Sequence, residues 1–169
     1  MILREYRQSD ADVIARWVTD EITMYEWSAD RISKFPFTSD DLHAHHVRTM
    51  NTEKFMPYTF TEDDGTIVGH IVIRYPNESD DSMVRFGFVI TDPARRRRGY
   101  GRAMLDAACD YSRNVLKAER ATLAVFTRNT TALKFYDSVG FRACGEPENY
   151  KLPIGEWDGV ILEKELKRS

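Results

Sequence analysis

Two cysteines in 169 residues are too few for a disulfide framework. Cys109 falls inside a helical pattern, and both thiols are expected to be reduced, as in a cytoplasmic protein. No apolar run is long enough to cross a bilayer. Charge begins at Arg4 and Glu5, so the first residues offer no apolar signal-peptide core. There is no internal repeat and no low-complexity tract. Nor is there an excess of positive charge: the net charge is −3, which disfavours a general nucleic-acid binder. His43, His45 and His46 share a helical segment, but no two stand at i, i+4 and no carboxylate occupies the HExxH position, so no metal site is expected. What is present is 42% apolar and 30% charged residues, the balance of a soluble globular domain, in a chain long enough for a substantial core.

The basic residues are clustered rather than spread. Four consecutive arginines, Arg95–Arg98, precede Gly99-Tyr100-Gly101, after the apolar run Val84–Ile90 and before a helical pattern. A strand, a glycine-containing basic turn and a helix start form an anion cradle, because the first helical amides lack carbonyl partners and the macrodipole adds positive charge. Gly99 and Gly101 carry no Cβ, so a ligand can approach the backbone closely. The alternatives for the arginines are a solvated basic turn or an RNA-contacting patch.

Patterning along the chain reads as follows. Residues 1–6 form a first strand. Ser9 and Asp12 have capping-box spacing before a helix with Val13, Ile14, Trp17 and Val18 on one face. Residues 20–38 look irregular and aromatic-rich. Ser39 caps a helix over 40–50. Strands at 56–61 and 66–74 flank a turn at 62–65, and a strand over 83–91 leads into the arginines. A helix over 102–116, a strand over 121–126, a helix from the cap Asn129 to Gly140, and strands near 141–150 and 157–166 complete the chain. This is an α+β order with a mixed sheet.

Two motifs carry a resemblance. Arg96-x-x-Gly99-x-Gly101 resembles the pyrophosphate-binding signature of the GNAT superfamily of acyl-CoA-dependent N-acyltransferases. Asn129-x-x-Ala132-x-x-x-Tyr136-x-x-x-Gly140-Phe141 resembles that family's second acyl-CoA motif. They lie about 30 residues apart in the family's order. The surroundings of Trp17 and Trp27, with Gly155–Asp158, resemble the ribosomal-protein N-terminal acetyltransferase-like branch. The resemblance implies one GNAT domain over 1–169, with a mostly antiparallel sheet of six to seven strands and about four helices. It implies acetyl-CoA as co-substrate, held by the amides and side chains of Arg96, Arg97, Arg98, Gly99, Tyr100, Gly101 and Arg102. The backbone edge of Val89, Ile90 and Thr91 would hold the pantetheine arm, and Asn129 would bond the pantetheine or phosphate region. Tyr136 would protonate the departing thiolate. On residues alone, Val89–Thr91 could equally be core strand, Asn129 a plain N-cap and Tyr136 a core aromatic.

One departure concerns the base. Many relatives carry glutamate at the positions held here by Arg85 and Ala124, neither of which takes a proton at neutral pH. Glu26, His70, Asp80, Asp81 or a water chain remain as candidates. The function expected is acetyl transfer to a primary amine, small molecule or peptide, by direct attack without a covalent acyl-enzyme. The alternative is an acyl-CoA-binding module of the same fold without catalysis. Trp27, Tyr25, Phe35 and Trp157 are expected as acceptor-side walls. No membrane partner is expected, and a monomer and a homodimer are both compatible.

Overall fold

A computed structural model describes residues 1–166. Eight strands form one sheet: β1 (Ile2–Glu5), β2 (Phe55–Thr61), β3 (Ile67–Arg74), β4 (Met83–Thr91), β5 (Arg120–Phe126), β6 (Arg142–Ala143), β7 (Glu148–Leu152) and β8 (Gly155–Glu165). Their order is β1-β2-β3-β4-β5-β8-β6, and β7 also pairs with β8. All pairs are antiparallel except β4 with β5. The helices are α1 (Ala11–Ala15), α2 (Glu21–Ser28), α3 (Ser39–Met50), α4 (Tyr100–Asn114) and α5 (Thr130–Ser138).

The α+β class and the mostly antiparallel sheet agree with the sequence, with one more strand and one more helix. The segment 141–150 holds two short strands, β6 and β7, with Gly145 at φ 86° between them. The supposedly irregular 20–38 segment contains α2. Its apolar residues Ile22, Met24, Tyr25 and Trp27 are scattered around the helix and make no stripe. Asp20 caps it, accepting the Thr23 N–H at 2.8 Å. Near the N-terminus the capping residue is Asp10 rather than the Ser9–Asp12 pair. Its carboxylate accepts the Arg7 N–H at 2.8 Å and the Thr59 hydroxyl at 2.7 Å, and holds Arg4 at 2.7 and 2.9 Å. Burial alone would raise Asp10, but Arg4, Thr59 and the Arg7 amide outweigh it and lower its pKa. Thr38, one residue before the expected Ser39, closes the capping box of α3 with Asp41.

The sheet divides two apolar cores. On one face α4 and α5 bury Met104, Leu105, Tyr136 and Phe141 against Ile71, Ile73 and Phe86. On the other, α1–α3 bury Ile14, Met24, Tyr25 and Leu42 against Phe55, Val72 and Phe88. Phe86 and Phe88 should share a face by strand period, yet they enter opposite cores. The cause is a bulge: His70 pairs Ile90 but Val72 pairs Gly87, so β4 has an extra residue there, with Phe88 at φ 50°.

The feature that positions the site is a parting of two strands. β4 and β5 pair in parallel from Met83↔Arg120 to Phe86↔Leu123. Beyond that, β4 continues with β3 up to Thr91, while β5 continues with β8 up to Phe126. A wedge therefore opens in mid-sheet, and the β5-facing edge of residues 87–91 has no strand partner among the described residues.

Candidate active site

At one side of this wedge the site is made of backbone. Gly99 is the N-cap of α4 in the left-handed region at φ 82° and offers no side-chain cap. The Ala103 N–H bonds back to the Gly99 carbonyl at 3.0 Å, which leaves the amides of 100–102 without carbonyl partners in the helix. A Cβ built on Gly99 meets nothing within 4 Å, so the space before these amides is open. Gly101 also has a packing role. A Cβ there would lie 3.1 Å from Phe135 Cζ, so this glycine lets α4 and α5 approach each other.

The arginines also divide. Arg95 is held by Glu62 at 3.2 Å and Asp92 at 3.4 Å, and the Tyr100 hydroxyl donates to the same Glu62. Arg102 donates to the Ser138 carbonyl at 3.2 Å, tying α4 to α5. Arg96, Arg97 and Arg98 are exposed and have no acidic partner among the described residues.

Val89, Ile90 and Thr91 lie on the stretch of β4 that pairs with β3 but has no strand on its β5-facing edge among the described residues. Asn129 caps α5, its Oδ1 accepting the Ala132 N–H at 3.1 Å, so the plain capping role is present. Tyr136 follows two turns later on α5, buried against Phe135 and Phe141. Its hydroxyl has no hydrogen-bond partner among the described residues, and burial pushes its pKa up, so the phenol keeps its proton at neutral pH.

At the other side of the wedge lies a cavity of about 120 Å³ whose lining includes Glu26 and Trp27 of α2, Arg74 of β3, Arg85 of β4 and Ala124 of β5. The positions expected to carry a glutamate thus do face one space. Of the four candidate bases, Glu26 alone lines it. Burial raises the Glu26 carboxyl pKa, against the pull of Arg128 at 3.9 Å. His70 is structural. It is fully buried, with Nδ1 2.8 Å from the Tyr58 carbonyl and Nε2 3.0 Å from His46 Nε2, and burial lowers it to about 4. His46 Nδ1 lies 3.0 Å from His45 Nδ1, which completes a buried imidazole chain. The Tyr58 carbonyl can only accept, so His70 donates from Nδ1 and the chain's tautomers follow. Asp80 accepts the Ser82 amide at 2.9 Å, and Asp81 pairs with Lys54 at 3.1 Å, both away from the cavity.

Of the four aromatic walls expected, Trp27 lines the cavity. Tyr25 and Trp157 instead pack together in the α1–α3 core with ring centroids 6.5 Å apart, and Phe35 packs against that core. Tyr150 lines the cavity unanticipated, as do Arg31 and Arg74. The available signal for Arg74 was a charge closing the otherwise apolar run Ile71–Ile73.

Comparison with known proteins bears on the fold and the family. L-amino acid N-acetyltransferase AaaT of Escherichia coli is 31% identical over 94 residues, which are 56% of this chain and 58% of that protein. The chain thus spans less than two thirds of that relative's length. Spermidine N-acetyltransferase from Vibrio cholerae, solved in complex with CoA and spermine, superposes with a TM-score of 0.78 at 17% identity, covering 98% of this chain and 95% of that one. A chimera of that enzyme and hSSAT gives a TM-score of 0.77 at 17% identity, covering 98% and 96%. At such identity the superpositions speak for the fold. The model of the acetyltransferase (GNAT) family matches residues 20–141, well over half of the sequence, and the chain belongs to that family.

Proposed function

We propose that this protein transfers an acetyl group from acetyl-CoA to a primary amine by direct attack in a ternary complex. The observation that carries this reading is the wedge between β4 and β5, with orphan helical amides on one side and a cavity containing a carboxylate on the other. Both chemically named relatives act, by their names, on amines: an amino acid and spermidine.

In this reading the 100–102 amides and the exposed arginines among Arg96–Arg98 receive the pyrophosphate of CoA. The free edge of Val89–Thr91 receives the pantetheine arm as an added strand, and its amides polarise the thioester carbonyl. Asn129 contributes its amide nitrogen next to the same arm. Glu26 takes a proton from the incoming ammonium, a role its raised pKa favours. The amine nitrogen bonds to the thioester carbon, whose π electrons move to oxygen. The nitrogen, still carrying one proton too many, gives it to solvent. Collapse re-forms the carbonyl and breaks the C–S bond. The thiolate takes its proton from the Tyr136 hydroxyl, and solvent then restores that proton and discharges the one held by Glu26. Neither cysteine is given an acyl-carrying role in this reading: Cys109 is buried in the α4–α5 core, and Cys144, exposed, follows β6 outside the cavity lining.

A pure acyl-CoA-binding module would need neither a carboxylate in the cavity nor a free phenol on α5. The test is CoA release from acetyl-CoA with a panel of amines, alongside calorimetric titration of acetyl-CoA. Amine-dependent release is expected. Binding without release from any amine would favour the module.

A further inference from the structure

The lining of the cavity is unusually rich in donors. Arg74 and Arg85 are direct partners across the β3–β4 pair, and both line the cavity together with Arg31. Like charges placed opposite each other on a sheet are destabilising, and more so when half-buried. Among the described residues their relief is partial: Glu53 acts on Arg74, and Tyr150 and Glu148 act on Arg85, only through space. Arg74 has no side-chain hydrogen bond or ion pair among the described residues. Arg85 donates only to the Thr122 hydroxyl at 3.2 Å, and Arg31 reaches Glu53 only at 3.9 Å. Burial, then the charges of Arg31 and Arg85, pull the Arg74 pKa down to about 10, against a smaller pull from Glu53. Unmet buried donors are costly, so a ligand rich in acceptors is what this lining lacks.

Resting on the reading of this cavity as the acceptor site, we propose that the acceptor amine also carries a carboxylate, which Arg74 and Arg85 hold with help from Arg31. Three guanidinium groups against the single carboxylate of Glu26 leave the lining positive. A polyamine would add to that excess, whereas a carboxylate offsets it and matches the planar fork of an arginine. The ammonium end is left to Glu26. Phe55, Val72, Phe88 and Phe126 give the cavity apolar walls, and its small volume suits an amino acid with an apolar side chain.

The test measures acetylation of leucine, methionine and phenylalanine, each against its own carboxamide, and of spermidine. The free acids should exceed their carboxamides in kcat/KM by about 10²-fold, with spermidine below both. Arg74→Gln should shrink the acid-to-amide ratio to less than about fivefold, mainly through KM for the acid. Carboxamides or spermidine acetylated as well as the acids would overturn the proposal, while acetyl transfer itself would still stand. If no amine turns over, titration of N-acetylleucine against N-acetylleucinamide, followed by tryptophan fluorescence, decides separately. Preference for the acid, lost in Arg74→Gln, supports the anion site, and no preference refutes it. Melting temperature and acetyl-CoA affinity control for folding, and Arg85→Gln, which should shrink the ratio in the same way, replaces Arg74→Gln if that variant misfolds.

Discussion

The two sides of the wedge are built from different materials. The side assigned to CoA consists of backbone: the free edge of Val89–Thr91 and the amides of 100–102, freed by a left-handed glycine. The acceptor side consists of side chains: Glu26 and Trp27 from α2, Arg31 from the segment after it, Arg74 and Arg85 from adjacent strands. Backbone presents the same amides whatever the neighbouring side chains become, so it suits a co-substrate common to a family. Side chains can be exchanged singly without disturbing a strand, so they suit the partner that differs between members. The same split predicts how mutations will behave. Changes on the first side should alter acetyl-CoA affinity, and changes on the second should alter the acceptor.

The largest effect should come from Tyr136, which belongs to neither binding surface. Tyr136→Phe should lower kcat roughly 10²–10⁴-fold, with little change in KM for acetyl-CoA, because the lost proton transfer acts in the transition state. Steady-state CoA release measures it, and a wild-type kcat would make Tyr136 a core aromatic only. On the acceptor side, Glu26→Gln should lower kcat/KM for the amine by about 10²–10³-fold and leave acetyl-CoA affinity within about threefold. It should also remove the acid limb of the pH–rate profile, since the carboxyl of Glu26 must be ionised to act. A retained acid limb would move the base elsewhere.

Next comes acid stability. His45, His46 and His70 stand behind Phe55 and Phe88 on the acceptor side, and burial holds them to about 4, about 2 and about 4. Their folded pKa values lie below the unfolded value, so the unfolded chain binds more protons as pH falls. Stability is then full above about pH 7 and is lost progressively below about 6.5, on the order of 2 kcal/mol per histidine by pH 5 at most. Thermal melting from pH 8 to pH 5 should show this fall, and His70→Gln should flatten it. A flat profile in the wild type would mean the cluster is solvated.

On the CoA side, Gly99→Val should weaken acetyl-CoA binding at least about tenfold, or about 1.4 kcal/mol, by filling the open space before the amides and by straining the left-handed turn at φ 82°. Gly101→Val should lower the melting temperature through a different cause, because its side chain meets Phe135. The smallest effects separate the arginines. Alanine at one or two of Arg96, Arg97 and Arg98 should cost acetyl-CoA affinity about 1–2 kcal/mol each. Arg95→Ala should cost little affinity, since Glu62 and Asp92 already hold that side chain. Equal large losses at all four would point to a polyanion patch.

Legibility in the sequence follows the same division. The elements of the side assigned to CoA could be read because they are local: β4, the glycine turn, the start of α4 and the Asn129–Tyr136 helix each show as a spacing. Sequence spacing cannot report purpose, however, and only the approach of Phe135 distinguishes Gly101 from Gly99. The acceptor side could not be assembled, because Glu26, Arg74 and Tyr150 meet only through the tertiary fold. Tyr25 and Trp157 show the converse: aromatics expected at a surface of the site instead fill the core. α2 escaped notice for a local reason, since its apolar residues mark no stripe and its cap, Asp20, precedes no helical period. The bulge at Phe88, which sends neighbouring aromatics of one strand into opposite cores, leaves no mark on the strand's composition.

The central claim is direct transfer between two substrates held together on opposite sides of the wedge. Initial-rate kinetics of CoA release, with acetyl-CoA and an accepted amine varied against each other, tests it most directly. The account predicts intersecting double-reciprocal lines and no acetylated protein when acetyl-CoA is present alone. Parallel lines with a trapped acetyl-enzyme, or no amine-dependent release at all, would contradict it.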